Sequence, residues 1–431
     1  LDMQVAQRLS EKTPFYYGWI VLFSAGSSQF VRNAAASLTL AVFIYPISEE
    51  LGWSRTLIAG AASVGGLAAS GASPVVGWMV DKYGTRIVLT ISILVLGLST
   101  MSLAWATAPI AFYLAYGIGR VIFNSSIQIA SSVVVSRWFI RKRGRASGLL
   151  SMTHAIGMTL FPLIASLVIL YRDYQTAWIV LGLTAWIIAL LPVSLLIAET
   201  PESVGLRPDG DPDHDESESG ESTVPEEPAW SVRQAVRTPA LWLIAASVGM
   251  LFIIHSGVNI HLVAYLRDQG LSEAIAASAI SVTAILMAVG SVAWGWVVER
   301  LPARFALAGV ALIMAVASPA FITADTVAEA YIYAGLFGFA LSGLLVVPPV
   351  AYADYYGRRS LGTIRGITEP FMSLGQAAGA VTSGLIYDVT DSYTIAFWTF
   401  SAIGIVTAIA VILARQPTQT AATGAATRTQ I

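Results

Sequence analysis

The chain has 431 residues, 56% of them hydrophobic and 12% charged, with a mean hydropathy of +0.70, against about 25% charge in a soluble domain. Apolar runs of about 20 residues, enough to cross a bilayer, recur from end to end, which defines an all-α polytopic membrane protein. A formal charge of −2 leaves no basic footprint for nucleic acid, and the lack of cysteine excludes disulfides, thiolate metal sites and cysteine nucleophiles.

In chain order, residues 1–15 are expected to form a cytoplasmic segment. Leu1–Pro14 is polar, and the apolar run after it is far too long for a cleavable leader. The absent initiator methionine suggests a foreign residue or two at the start. Apolar runs bounded by charges or turn residues predict twelve helices. They are α1 (16–47), α2 (56–80), α3 (86–107), α4 (109–136), α5 (145–171), α6 (175–198), α7 (239–266), α8 (273–298), α9 (304–323), α10 (327–353), α11 (362–387) and α12 (393–414). They form two six-helix halves, 16–198 and 239–414. The 199–238 linker between them is acidic and rich in Pro, Gly and Ser, so much of it is expected to be flexible and cytoplasmic. The Ala- and Thr-rich tail, 415–431, is expected to be disordered and cytoplasmic. Of the Lys and Arg residues, Arg55, Arg172 and Arg267 fall in odd-numbered loops and Arg32 and Arg120 inside helices. The rest lie at the termini, in even-numbered loops or at their edges, so the positive-inside rule puts both termini of this multi-pass plasma-membrane (inner-membrane) protein in the cytoplasm.

Polar groups inside the helices mark candidate chemistry. An unpaired arginine near the bilayer centre costs roughly 2.5–3.5 kcal/mol on insertion scales, so Arg32 on α1 and Arg120 on α4 need a reason. Arg32 lies 15 residues past Tyr17 and Arg120 17 residues before Arg137, depths of about 22 and 26 Å at the helical rise. Ser24, Ser28, Arg32 and Thr39 lie close to one face of α1, and Tyr116, Arg120, Asn124 and Gln128 form an i, i+4 stripe on α4. Two guanidiniums in one cavity repel unless an anion sits between them, and arginine holds carboxylates bidentately. Otherwise Arg32 snorkels or packs against carbonyls. The second half offers His255, Asn259 and His261 on α7, and Arg365, Glu369, Ser373 and Gln376 on α11. His255 is either a proton-linked ligand contact or a neutral, hydrogen-bonded histidine; His261, nearer the outer surface, is expected to be solvated. Glu369 either pairs with Arg365 one turn away or carries a proton. His154 on α5 is a further candidate.

The chain also repeats itself at an offset of 218. "LGWS" at 51–54 aligns with "QGLS" at 269–272, and "GWMVDKYGTR" at 77–86 with "GWVVERLPAR" at 295–304. Tyr113 and Gly117 align with Tyr331 and Gly335, and Gly148 and Gly157 with Gly366 and Gly375. Parallel repeats of this kind place a substrate between the halves, with alternating access by rocking. Neither membrane arginine has a counterpart: Met250 and Gly338 stand at the aligned positions.

"GWMVDKYGTR" resembles the loop 2–3 signature of the major facilitator superfamily, and "YGIGRVIFNSS" carries a fourth-helix arginine like its second motif. The resemblance covers about residues 16–414. "YYGWIVL", "FIYPISEELGWSR", "ADYYGRRSLGTIRG" and "GLIYDVTDSYTIAFW" resemble the oxalate/formate-antiporter and monocarboxylate-transporter branch. That likeness implies a cavity lined by α1, α4, α7 and α10 with α2, α5, α8 and α11. It also implies a cytoplasmic latch of Gly77, Asp81, Lys82, Gly84, Arg86, Glu299, Arg304 and Asp354 that holds the halves in the outward-facing state. Gly77 admits a close helix, Gly84 permits a tight turn, and Pro302 in place of the second copy's Gly weakens that half of the latch. In relatives the α4 arginine often braces α1 or tunes a proton site, the alternative for Arg120. The branch's usual α8 arginine and α11 core lysine are missing, so substrate identity does not carry over from those positions. "GMTLFPLIAS" only partly resembles the drug-exporter motif of α5.

The reading is a proton-coupled secondary transporter of a small organic anion, a monocarboxylate in the first instance, functional as a monomer in the lipid bilayer. No cofactor, metal or enzymatic activity is expected. Its substrate residues are Arg32, Arg120, Asn124, Tyr116, Ser28, His255, Asn259 and Gln376, with His255 and Glu369 for protons. The alternatives are an organic-cation or drug/proton antiporter, and a membrane sensor that kept the fold without flux.

Overall fold

The computed structural model describes residues 2–210 and 228–418. Residue 1, linker residues 211–227 and tail residues 419–431 lie outside that range. An amphipathic helix, Asp2–Lys12, leads into twelve long helices. They are α1 Gly18–Leu51, α2 Arg55–Tyr83, α3 Thr85–Trp105, α4 Pro109–Trp138, α5 Arg143–Tyr171, α6 Tyr174–Leu196, α7 Pro239–Asp268, α8 Glu273–Val298, α9 Ala303–Thr323, α10 Val327–Tyr356, α11 Leu361–Thr390 and α12 Thr394–Leu413. Eleven are long and apolar enough to cross a bilayer alone; α11, which carries Arg365 and Glu369, falls short. Lipid-facing side chains such as Ile110, Leu170 and Ile187 stay exposed, as apolar groups can in a bilayer.

The sequence itself punctuates these helices. At the end away from the linker, Ser54, Asp173, Ser272 and Thr326 accept backbone N–H bonds at the starts of α2, α6, α8 and α10. These caps satisfy donors that the first turn leaves open. Ser54 and Ser272 are repeat mates.

Two helices change their winding at depth. α1 tightens into a 3₁₀ turn over Arg32–Ala35 and resumes at Ser37 after an extended Ala36. Asn33 explains the break. Its amide donates to the carbonyls of Phe30 (3.1 Å), Gln29 (3.3 Å) and His154 (3.2 Å), competing with the helical ladder. α4 widens into a π turn over Ile122–Ser126. Irregular backbone at membrane depth persists where protein surrounds it, and such bulges concentrate at functional positions.

The halves press together at the linker end along two crossings, α2 on α11 and α5 on α8. A Cβ on Gly77 would overlap the Gly362 carbonyl, and one on Gly366 the Ser73 carbonyl. In the second crossing Gly144 meets Gly295 and Gly148 meets Ser291 in the same way. Small residues let the backbones touch, and each contact has its mate 218 residues on.

The described linker is more structured than its composition suggests. Glu199 accepts from Thr85 N (2.9 Å), Arg86 N (2.8 Å) and Arg137 Nη1 (2.9 Å). Asp209 accepts from the backbone of Ile140, Arg141 and Lys142 at 2.8–3.2 Å. On the other side Trp230 N bonds Tyr356 O at 3.3 Å. The expectation of flexibility bears mainly on residues 211–227, which lie outside the described residues, whereas the flanking stretches are tied down by Glu199, Asp209 and the Trp230 N–H.

Candidate functional site

At the linker end, carboxylates close both crossings. Asp81 accepts from Gly362 N (2.9 Å), Thr363 N (2.7 Å) and Thr363 Oγ1 (2.7 Å), capping the start of α11 from the opposite half. Arg137 stands 3.6 Å from the same carboxylate. Glu299 repeats the arrangement on α5, accepting from Arg145 N (2.8 Å) and Nε (2.7 Å). Asp354 takes Arg143 Nη1 at 2.6 Å.

The contacts described for the other expected latch groups stay within their own halves. Lys82 lies over the rings of Trp78 (4.5 Å) and Tyr83 (5.2 Å), facing outward. Arg304 packs over Phe305 at 4.7 Å. Gly84, at φ +88°, makes the turn beside Glu199, and the contacts described for Arg86, to Glu199 and to Ser194 O (2.7 Å), lie within its own half. The physical reason is direction: one turn past Asp81 the chain has rotated away from α11.

Above the seam, four buried charges gather from both halves. Arg32, Arg120, Arg365 and Glu369 are 5%, 7%, 4% and 5% exposed, so none is solvated by bulk water. Arg32 donates Nε to His154 Nδ1 (3.3 Å) and Nη1 to Phe123 O (3.1 Å) and Gln128 Oε1. The π turn of α4 is what presents that Phe123 carbonyl. The guanidiniums of Arg32 and Arg120 both pack on the Phe123 ring, at 4.6 and 5.0 Å. Arg365 reaches from α11 into the opposite half, giving Nη1 to Ser132 Oγ (2.7 Å) and Nη2 to Glu369 Oε2 (3.3 Å). Arg32 feels the charges of Glu369, Arg120 and Arg365 together.

These charges are incompletely paired. Among the described residues, the buried Arg120 Nε, Arg365 Nε and Glu369 Oε1 have no hydrogen-bond partner. A buried group left so costs about 1–3 kcal/mol, more when charged. Arg365 pairs with Glu369, while Arg32 and Arg120 are held by neutral partners, so buried positive charge exceeds buried negative charge here among the described residues.

A cavity of about 20 Å³ lies against Arg32, walled by Gln29, Gln128, Ser132, Ser147, Ser151 and His154, with Leu150, Leu345 and Pro349. It has room for about one water in this closed arrangement. A far larger crevice, about 840 Å³, opens between α2, α3 and α4 beside Val64, Ile91 and Leu114. Its apolar, exposed walls face lipid and hold no charge for chemistry.

Several expected site residues stand elsewhere. Tyr116 gives its hydroxyl to Ala35 O (3.2 Å) and Arg120 Nη1 reaches the same oxygen (3.4 Å), so both brace the broken turn of α1. Ser28 bonds back to Ala25 O (2.6 Å) inside its own helix. Asn124 is buried in the π turn, off the cavity wall. His255 packs edge-on to Phe252 at 5.7 Å with a buried, unpartnered Nδ1, away from the arginines. Asn259 and Gln376 are half-buried and make no described hydrogen bond. His261 is not merely solvated: it bonds Tyr393 (3.1 Å) and Ala380 O (3.2 Å). Sequence reasoning left Gln29, Ser132, Ser147 and Ser151 out of the site, and weighed Gln128, His154 and Arg365 only in passing. Gln29 and Arg32 sit three residues apart on α1, the signal that was available.

Two six-helix halves related by a sequence repeat, with buried charges between them, define the architecture of a membrane transporter. Residues 21–367 match the Major Facilitator Superfamily, and the chain belongs to that family. It is therefore a multi-pass membrane transporter and not an enzyme. It is 27% identical over 399 residues to monocarboxylate transporter 13 of Bos taurus, covering 88% of this chain and 85% of that one. It is 26% identical over 314 residues to the hexose-6-phosphate:phosphate antiporter of Escherichia coli K12, covering 69% and 66%. Among solved structures, the human organic anion transporter MFSD10 (TETRAN) superposes with a TM-score of 0.70 at 15% identity, over 93% of this chain and 100% of that one.

Proposed function

We propose that the protein carries a small organic anion, a monocarboxylate in the first instance, together with protons by alternating access. The observation that carries this reading is a buried Arg32, held by neutral partners against a cavity, beside the buried Arg365–Glu369 pair of the other half. Arg32 is the anchor, because its guanidinium alone both lines the cavity and is held by neutral partners. Glu369 is the proton carrier: an arriving carboxylate competes for Arg365, and a Glu369 released from that pair takes a proton to remain buried. Asp81, Glu299 and Asp354, with Gly77, act as the latch of the outward-facing state. The linker end is cytoplasmic by the distribution of Lys and Arg, in the plasma (inner) membrane. The protein works as a monomer and needs no cofactor. The relatives' carriage of monocarboxylates, organic anions and hexose phosphates is in keeping with an anion.

A thermal-shift panel on the purified chain tests the reading. Small mono- and dicarboxylates are compared with organic cations on wild type, Arg32→Ala and Arg120→Ala. A ligand at about 100 times its Kd stabilises by about 2.7 kcal/mol. Stabilisation by a carboxylate, lost in Arg32→Ala, supports it; stabilisation by cations alone overturns it in favour of a cation/proton antiporter. Proton-driven flux into liposomes separates a transporter of anions from a sensor that only binds them.

A further inference from the structure

The wall of the cavity beside Arg32 has a fixed polarity that follows from counting protons. Ser131 Oγ has one proton and spends it on Ile127 O at 2.5 Å. It can therefore only accept from Gln29, at 2.6 Å, which fixes the Gln29 amide with its nitrogen toward Ser131. Gln29 Oε1 is left buried and without a donor, on a residue that lines the cavity. The remaining wall has the opposite sign. Arginine only donates, so His154 Nδ1 accepts from Arg32 Nε and the ring proton sits on Nε2. Gln128 accepts from Arg32 Nη1 through Oε1, so its amide nitrogen is left over, as is Arg32 Nη2 among the described residues. Ser132 is already committed, donating to Ile129 O (2.9 Å) and accepting from Arg365 (2.7 Å).

The site thus offers several donors, the Ser147 and Ser151 hydroxyls that can act either way, and one buried acceptor with no proton of its own, Gln29 Oε1. Gln29 and Arg32 lie three residues apart on α1, about 4.5 Å along its axis. The geometry points to Gln29 as the residue that selects the substrate, and to a short carboxylate with a hydroxyl one or two carbons from the carboxyl as that substrate. Once the halves part enough to widen the one-water cavity and uncover Gln29 Oε1, the carboxylate takes the donors of Arg32, His154 and Gln128, and the hydroxyl donates to that oxygen. An unsubstituted acid leaves that oxygen unpaired. A 2-oxo acid sets a second lone pair against it, so the order of preference is hydroxy, then unsubstituted, then oxo acid. This rests on the anion reading above.

The experiment is titration calorimetry of the purified full chain with lactate, propionate and pyruvate at one pH. Lactate is expected to bind about tenfold more tightly than propionate, the worth of one hydrogen bond, with pyruvate weakest. Gln29→Met is expected to bring the propionate-to-lactate ratio of Kd values from about tenfold to near one, a comparison made within each chain. Equal binding of lactate and propionate by wild type overturns the inference and needs no variant to fold. So does a Gln29→Met chain that loses all three acids in equal measure, which is the mark of a structural role. If wild type binds no carboxylate at all, the anion reading falls and this inference falls with it.

Discussion

At the linker end the two halves meet through residues that repeat. Ser73, Gly77 and Asp81 on α2 have Ser291, Gly295 and Glu299 on α8 as mates, and Gly144 and Gly148 on α5 have Gly362 and Gly366 on α11. Deeper in the bundle the repeat dissolves. Gln29, Arg32, Arg120 and Gln128 correspond to Ser247, Met250, Gly338 and Val346, while Arg365 and Glu369 correspond to Ser147 and Ser151. Two crossings related by the pseudo-twofold must close together, so their chemistry stays matched. A small asymmetric ligand makes no such demand, and there the copies have diverged into a half that supplies most of the polar wall and a half that supplies a charged pair.

The largest effect is expected from breaking the matched region. Gly77→Val or Gly144→Val drives a side chain into a facing backbone carbonyl, overpacking that costs about 1–3 kcal/mol or more. Transport should be abolished. The chain has no cysteine, so a single Ser147→Cys probe should become reactive to an impermeant thiol reagent from the linker side in either variant and stay protected without them. In the unmatched region, Arg32→Ala should weaken carboxylate binding by about 2–5 kcal/mol, as truncating a buried charged partner does. Arg32→Lys should restore little of it, because a point charge cannot hold both His154 and Gln128. Calorimetry on both variants reads this.

Glu369→Gln should preserve carboxylate exchange across liposomes while abolishing accumulation driven by a proton gradient. Equal loss of both would assign Glu369 to scaffold. The smallest effect sharpens a difference within the matched region. Asp81→Asn should cost about 1 kcal/mol of latch closure, as the loss of a good helix cap does. Glu299→Gln should cost less, because its Arg145 partner is 52% exposed and the pair is screened by water. The readout is the same thiol reactivity, graded.

The helices were legible because bilayer crossing writes long apolar runs, and their ends fell within a few residues of those expected. The offset of 218 was legible too, and it proved to be the symmetry of the seam. Lys82 and Arg304 stack on neighbouring rings instead of crossing, because a loop motif records which residues are near the latch, not which way each turn points them. The site was legible where a lone arginine broke an apolar run, as at Arg32. It was not legible where helices deviate from regular winding. The π turn at Ile122–Ser126 rotates Asn124 and Gln128 relative to Tyr116 and Arg120, off a straight i, i+4 stripe. Arg365 was read as a partner of Glu369 alone, since sequence spacing cannot show that it also reaches Ser132 in the other half.

The shortfall of α11 in apolarity has a consequence for how the chain is made. A helix that begins with two glycines pressed against α2 and buries an arginine and a glutamate is less suited by composition to lipid than its eleven companions. Its polar and glycine-rich faces are covered by α2, which offers Ser73 and Gly77, and by α7, whose Gly249 and Ile253 lie against Gly375 and Gly379. The settling of this span into the bilayer is therefore tied to the surfaces that one helix from each half presents to it.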